Sequence, residues 1–341
     1  MTTAGSSTLF IDDDLAFAQG AAVGLGASGF SATARHPSTV SPADVSGASL
    51  VVLDEYLEDW ARPADPATTA PADGLAVGSV LRSQKPSLCV AILTGALDRL
   101  ADGVPTAFGE HHIAALRDVE WVFSKQDAQS TERIAMLADA IQGIPASLTP
   151  DVLTTWLRIP DQAWADDATE HLTRCRPPLA PRQNSSGTRP LLRWLLQRAL
   201  PYPTFLLTDS RTAMVLNISP SSIDTLLDGD APALAACRYE GPLATFLGRR
   251  WWRAGLDHLV EQPATLPRLE ALQERSDTML VMPLGDNLDE LVPSPVDDCV
   301  RIYPDGWPAF ADQAWALRTD IFPGSLHHEM LGLTDPLWSA S

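Results

Sequence analysis

Lysine is nearly absent from this chain of 341 residues: Lys85 and Lys125 are the only two among 24 basic residues, so a lysine in a special place stands out. Cysteine is also scarce. Cys89, Cys175, Cys237 and Cys299 are far apart and none belongs to a C-x-x-C pair, so zinc-site and dithiol patterns are missing and free buried thiols are expected. No apolar run approaches the ~18 residues that a membrane-spanning helix needs, and no membrane partner is expected. The first residues, MTTAGSSTLFIDDD, lack the positive flank and apolar core of a secretory leader, which points to the cytoplasm. The H-E-x-x-H, G-x-S-x-G and P-loop patterns are all missing. Positive charge is in deficit along the whole chain. Residues 1–145 carry 8 Lys+Arg against 18 Asp+Glu, a net −10, and the remainder 16 against 25, a net −9. Neither part is a basic nucleic-acid module overall.

What is present suits two domains. Residues 1–145 form the first and 146–341 the second, joined by a short linker at 143–150 (GIPASLTP). In the first, short apolar runs at 7–11 (STLFI), 48–53 (ASLVVL), 88–93 (LCVAIL) and 119–124 (VEWVFS) read as buried strands, with a further short one at 30–34. Helical segments are expected at 14–25, 75–83, 111–118 and 131–142, the last with Ile134, Leu137, Ala138 and Ile141 on one face. Alternating strands and helices predict an α/β fold, a doubly wound parallel sheet.

Ligands of such sheets bind at the carboxyl ends of the strands. Each apolar run here ends in a polar residue: Asp12 and Asp13, Asp54, Thr94, and Lys125. Together they would line one crevice. Three carboxylates held close repel each other and call for a divalent cation; oxygen ligands beside a phosphate favour Mg²⁺. A lysine and a hydroxyl opposite would donate to phosphoryl oxygens. The set suits a phosphoryl group placed on an aspartate acting as nucleophile.

With I-D-D-D, V-V-L-D, L-T-G and F-S-K closing successive strands, residues 6–145 resemble the receiver domain of two-component response regulators. The resemblance implies a five-stranded, flavodoxin-like receiver fold and phosphotransfer from a partner histidine kinase or phosphotransfer protein. By position, Asp54 is implied as phosphoacceptor. Asp12, Asp13, Asp54 and the carbonyl of Tyr56 are implied as Mg²⁺ ligands, and Thr94 and Lys125 as partners of the phosphoryl group. Three positions depart from the family pattern. Glu58 and Gln126 stand where prolines are usual, and Val122 where an aromatic is usual, between Trp121 and Phe123. Long loops are expected at 61–74 and 98–110. The G-x-G-x-x-G at Gly24, Gly26 and Gly29 falls after a helix rather than before one, so it reads as a helix end and not a dinucleotide site.

The second domain reads as mainly helical, with helices expected at 191–200, 211–216, 221–227, 243–259 and 267–274, strands at 278–283 and 299–303, and a Pro/Ser/Gly-rich connection at 176–190. Residues 212–227 have helix-turn-helix spacing, yet 221–230 (SSIDTLLDGD) presents three aspartates and no base-reading side chain, so DNA binding is disfavoured. Six arginines between 171 and 207, and Arg249, Arg250 and Arg253 around Trp251-Trp252, are expected first to pair with carboxylates, then to form a protein interface, and last to bind nucleic acid. An aromatic turn is expected at 304–308, with Phe310 and Trp315. The His111-His112 and His327-His328 pairs lack a third ligand. The leading expectation is a phosphorylated regulator that is not an enzyme and signals to a downstream protein target, with room for a homodimer. The alternatives are a receiver-shaped scaffold indifferent to phosphorylation, a DNA-binding regulator, and an enzyme in the second domain.

Overall fold

The computed structural model describes residues 7–62, 65–97, 110–145, 149–178, 188–201, 204–216, 222–228 and 231–261. The elements expected at 267–274, 278–283 and 299–303, the aromatic turn at 304–308 with Phe310 and Trp315, His327-His328 and Cys299 lie outside the described residues. So do the loop at 98–109, most of the Pro/Ser-rich connection, the turn of the helix-turn-helix candidate and the side chains of His111 and His112.

The first unit is built on a five-stranded parallel sheet. Its strands are β1 (Ser7–Ile11), β2 (Ser31–Arg35), β3 (Ala48–Asp54), β6 (Cys89–Thr94) and β7 (Trp121–Ser124). They lie side by side in the order β2-β1-β3-β6-β7. Counting these strands alone, the order is 2-1-3-4-5, the flavodoxin-like doubly wound topology in which ligands bind beyond the carboxyl ends near the first strand. Strands β3 and β6 are central and almost wholly buried, which requires their unbroken apolar sequences; β2 lies at the edge and alternates polar residues (SATAR).

The period-two pleat divides the core. Leu9, Ile11, Val51, Leu53, Val90, Ile92 and Val122 share one face with Val45 of α2 (Pro42–Gly47), Val77 and Leu81 of α3 (Gly74–Gln84), and Ile113 of α4 (Glu110–Leu116). Phe10, Leu50, Val52, Trp121 and Phe123 alternate with these and are buried on the other side. There α1 (Leu15–Ala27) and α5 (Ser130–Gly143) pack against each other and against the sheet. Asp14 caps α1 by accepting from Phe17 N, so the acidic run that ends β1 also starts the next helix. Gly29, at φ 88°, follows the end of α1 in a left-handed turn, which is the helix-end role expected of the glycine motif.

One element was not expected and one expectation is corrected. Helix α2 has no counterpart in the sequence-based elements. Its signals are Pro42 in the first turn and a capping box between Ser41 and Asp44, in a stretch of only six residues. The long loop expected at 61–74 is a hairpin instead: β4 (Tyr56–Arg62) pairs antiparallel with β5 (Asp65–Asp73). Its prolines and alanines give little β propensity, and pairing with β4, whose Leu57 and Trp60 are buried, overrides that.

The chain divides into two compact units. The first holds residues up to Leu157 together with Pro178–Gln197, and the second holds Arg158–Pro177 together with residues from Arg198 on. Helix α8 (Thr188–Trp194) thus belongs with the sheet, after α6 (Pro150–Trp156) of the first unit and α7 (Ala165–Arg174) of the second. The physical reason is a buried carboxylate. Glu120, just before β7, is 0% exposed. It accepts from Val90 N–H and from Arg189 Nε at 2.7 Å. Gln197 Nε2 donates to Val119 O at 3.0 Å, and Arg193 pairs with Asp118.

Among its described residues the second unit is mainly helical, as expected, although the helix expected at 243–259 begins only at Arg253. Besides α7 it has α9 (Asp209–Val215), α10 (Ser222–Asp228), α11 (Pro232–Ala236) and α12 (Arg253–Glu261), and a two-stranded ladder of β8 (Leu206–Leu207) with β9 (Trp251–Trp252). Trp252 is the centre of its core, with ring centroids of Trp164, Phe205 and Tyr239 at 6.5, 5.8 and 5.5 Å. The Trp-Trp pair therefore packs rather than presenting a stacking surface.

Candidate functional site

At the carboxyl end of the sheet, four of the expected residues meet directly. Carboxylate oxygens of Asp12, Asp13 and Asp54 lie within 4.8 Å of one another. Lys125 reaches across from the end of β7, with Nζ 2.7 Å from Asp12 Oδ2 and 3.0 Å from Asp54 Oδ2. Its ammonium also sits 4.9 Å from the centroid of Phe17 on α1. The chain positions these groups through its strand ends: Asp12 and Asp13 follow β1, Asp54 is the last residue of β3, and β1 and β3 are neighbours.

Burial dominates the electrostatics. It pushes the Asp54 carboxyl above its ordinary value, and the negative charge of Asp13 adds to this; the hydrogen bond and charge of Lys125 and the N–H of Glu55 work the other way. Burial likewise pushes Asp12 up, with Asp54 contributing, against Lys125 and the N–H of Asp14. Burial works against the Lys125 ammonium, but its hydrogen bonds to Asp12 and Asp54 prevail and hold it above the usual lysine range. These carboxylates are therefore short of positive charge even with Lys125 in place. A compact divalent cation fits that deficit, and an all-oxygen donor set suits Mg²⁺.

Asp54 is only partly buried, so its side chain keeps some exposure at the mouth of the site. The N–H of Glu55 donates to Asp54 Oδ1 at 2.8 Å and fixes the carboxylate plane. Gly74, at the start of α3, lies so close that a Cβ there would stand 2.0 Å from Asp54 O, which requires glycine at the base of the hairpin. Tyr56 is the first residue of β4, two residues beyond Asp54, with a half-exposed side chain.

Thr94 is engaged with another side chain in this structure. It closes β6 and is buried, but its hydroxyl donates to Glu55 Oε2 at 2.5 Å and accepts from Ala96 N–H at 2.9 Å. Sequence reasoning missed Glu55. Its position next to Asp54 was a signal, but its partner is 39 residues away and only the β3–β6 pairing reveals it. Val122, where an aromatic was expected from the resemblance, is buried in the core, and the flanking Trp121 and Phe123 both lie under Arg133, whose guanidinium carbon is 5.4 and 5.7 Å from their centroids.

Among the described residues, two arginines of the Trp251-Trp252 cluster are committed within their own unit. Arg249 pairs with Asp209 at 2.7 Å and Asp224 at 2.6 Å, and the buried Arg250 donates to Leu200 O at 2.9 Å. In the helix-turn-helix candidate, Asp209 of α9 and Asp224 of α10 are thus paired with Arg249 of the same unit. Among the described residues, no helix is long and apolar enough to cross a membrane.

No protein-family model matches the chain. No curated protein matches it. Solved structures do match. A receiver domain protein from Clostridium thermocellum is 16% identical over 39% of this chain and 91% of its own length, with a TM-score of 0.28. A CheY-like receiver domain protein from Methanospirillum hungatei JF-1 is 14% identical over 39% of this chain and 94% of its own, with a TM-score of 0.28. The response regulator RcsB of Salmonella typhimurium is 15% identical over 50% of this chain and 76% of its own, with a TM-score of 0.29.

Proposed function

We propose that this chain is a two-component response regulator whose first domain, within residues 1–145, accepts a phosphoryl group on Asp54 and whose second, within 146–341, passes the signal on. The observation that carries this is the meeting of Asp12, Asp13 and Asp54 under the ammonium of Lys125 at the carboxyl end of a doubly wound sheet. An Asp54 oxygen attacks the phosphorus of a phosphohistidine, on a histidine kinase or a phosphotransfer protein. The new bond is Asp54 O–P; the bond broken is P–N, whose electron pair and a proton stay with the donor imidazole. Asp12, Asp13, Asp54 and the carbonyl of Tyr56 would hold Mg²⁺, which supplies charge neutralisation at the phosphoryl oxygens. Lys125 exchanges its bond to Asp54 for one to a phosphoryl oxygen, and Thr94 offers its hydroxyl to another. The added charge shifts the domain between two states.

The output acts on a downstream protein target in the cytoplasm. Commitment of Arg249 and Arg250 within their own unit favours protein contacts over DNA. The deciding experiment is intact-mass measurement after incubation with acetyl phosphate and Mg²⁺. One phosphoryl adduct is expected, dependent on Mg²⁺ and lost in Asp54→Asn. A folded chain that takes no adduct from acetyl phosphate or a cognate kinase would leave a receiver-shaped scaffold in its place.

A further inference from the structure

Thr94 has one hydroxyl proton, and in this structure that proton is directed at Glu55. The hydroxyl is 1% exposed with its residue. It donates to Glu55 Oε2 at 2.5 Å while the N–H of Ala96 donates to it at 2.9 Å. A hydroxyl donates only once. While bound to Glu55, Thr94 cannot donate to an oxygen carried on Asp54.

Glu55 is not a loose surface acid that happens to lie nearby. Its N–H is held by Asp54 Oδ1 at 2.8 Å, and its carbonyl accepts from Gly74 N–H at 2.8 Å. Gly74 in turn is packed so tightly that a Cβ would collide with Asp54 O. The backbone of Glu55 is thus fixed between the acceptor and the base of the β4–β5 hairpin, and its carboxylate is aimed at the end of β6. Thr94 is anchored on its other side, where its carbonyl accepts from Lys125 N–H at 2.7 Å. Its backbone links the two halves of the site while its side chain chooses between two acceptors.

We propose that Glu55 is a positioning residue that holds Thr94 away from Asp54 and so sets the balance between the two states of the site. The proposal rests on the phosphoacceptor reading and specifies its regulation. An ionised carboxylate is a strong acceptor, and so is a phosphoryl group. Phosphorylation therefore has to win one proton from a charged competitor, and the released Glu55 is left as a like charge beside the new anion. Removing the competitor favours the switched state. Glu55→Gln, which keeps an acceptor but no charge, gives a smaller effect in the same direction.

Beryllofluoride with Mg²⁺, a phosphoryl mimic, is the probe. The ¹⁹F resonance of the bound probe reports saturation on the full chain, and circular dichroism melts confirm that each variant is folded. Relative to wild type, Glu55→Ala is expected to lower the half-saturating concentration about tenfold, as for loss of one competing charged hydrogen bond. The decisive readout is a double-mutant cycle: in a Thr94→Ala background, Glu55→Ala should change saturation less than twofold. The same gain in both backgrounds would assign the effect to general charge and overturn the role of Glu55, as would no gain when Thr94 is present. A wild type that neither binds the probe nor takes a phosphoryl adduct would sink the phosphoacceptor reading itself, and the proposal with it. A wild type that does both while the cycle is additive removes the proposal alone.

Discussion

Replacing Arg189 with alanine takes the guanidinium away from a carboxylate that has no contact with water. Glu120 is 0% exposed and its Oε1 lies 2.7 Å from Arg189 Nε. Burial pushes the Glu120 carboxyl up even with Arg189 present, so the site tolerates the charge only through its partners. Removing one partner of a buried pair costs about 3–5 kcal/mol, because the remaining charge stays desolvated. Arg82, 3.2 Å from Asp118 and facing the same cluster, retains part of the compensation, so the lower end of that range is expected. For a unit of this size each kcal/mol moves the midpoint by roughly 2–4 °C, so the melt should shift by about 10 °C. Calorimetry or circular dichroism of the full chain at pH 7.5 measures it. The pH dependence has a definite sign. A carboxyl whose folded value is raised binds its proton more tightly when folded, so its contribution is present below the unfolded value of about 4.3 and is lost as pH rises through the folded value. Without Arg189 that window extends upward, and acidifying from pH 8 to 5 should restore much of the loss relative to wild type. Glu120→Gln with Arg189→Met should recover more than half of the stability. A loss below about 1 kcal/mol in Arg189→Ala, or a double variant as weak as the single, would refute the account of why this helix belongs to the first unit.

Three further outcomes are expected. Gly74→Ala forces a Cβ to within 2.0 Å of Asp54 O; it should lower urea stability by about 1–3 kcal/mol or more and impair adduct formation on Asp54, and unchanged behaviour would show that the backbone there yields freely. At Asp44, burial works to raise the carboxyl, but the Ser41 hydroxyl and N–H and Arg35 outweigh it and lower it. Its stabilisation is therefore present above the unfolded value of about 3.9 and lost as pH falls through the lower folded value; Asp44→Ala should cost about 1 kcal/mol at pH 7 and nothing at pH 2 in denaturant titrations. Finally, Mg²⁺ should raise the melting temperature of the unphosphorylated chain, reversibly with chelator, by an amount equivalent to about 2.7 kcal/mol at a hundredfold excess over its Kd; Asp13→Asn should abolish most of this gain, and an equal gain in the variant would place the ion elsewhere.

The ends of the strands were the most legible part of the chain. Asp12, Asp13, Asp54, Thr94 and Lys125 each terminate an apolar run, and parallel strands bring such termini to one edge regardless of the loops between them. The hairpin at 56–73 was not legible, because its stability lies in pairing and in the burial of Leu57 and Trp60 rather than in residues of high strand propensity. That helix α8 joins the first compact unit was not legible for a related reason: its arginines look like surface charge until Glu120, 69 residues before Arg189, is found buried against it.

From the sequence alone, the α/β alternation and the placement of Asp12, Asp13, Asp54, Thr94 and Lys125 at strand ends followed from periodicity and from the polar residues that stop each apolar run. These are local properties, written within a few residues. Only the tertiary structure decided that Lys125 bridges Asp12 and Asp54, that the Thr94 hydroxyl donates its hydrogen bond to Glu55, and that the first unit is completed by residues 188–197. Each of those depends on which groups share a low-dielectric space after the chain has folded. There a single unpaired charge or uncommitted proton weighs more than any local propensity.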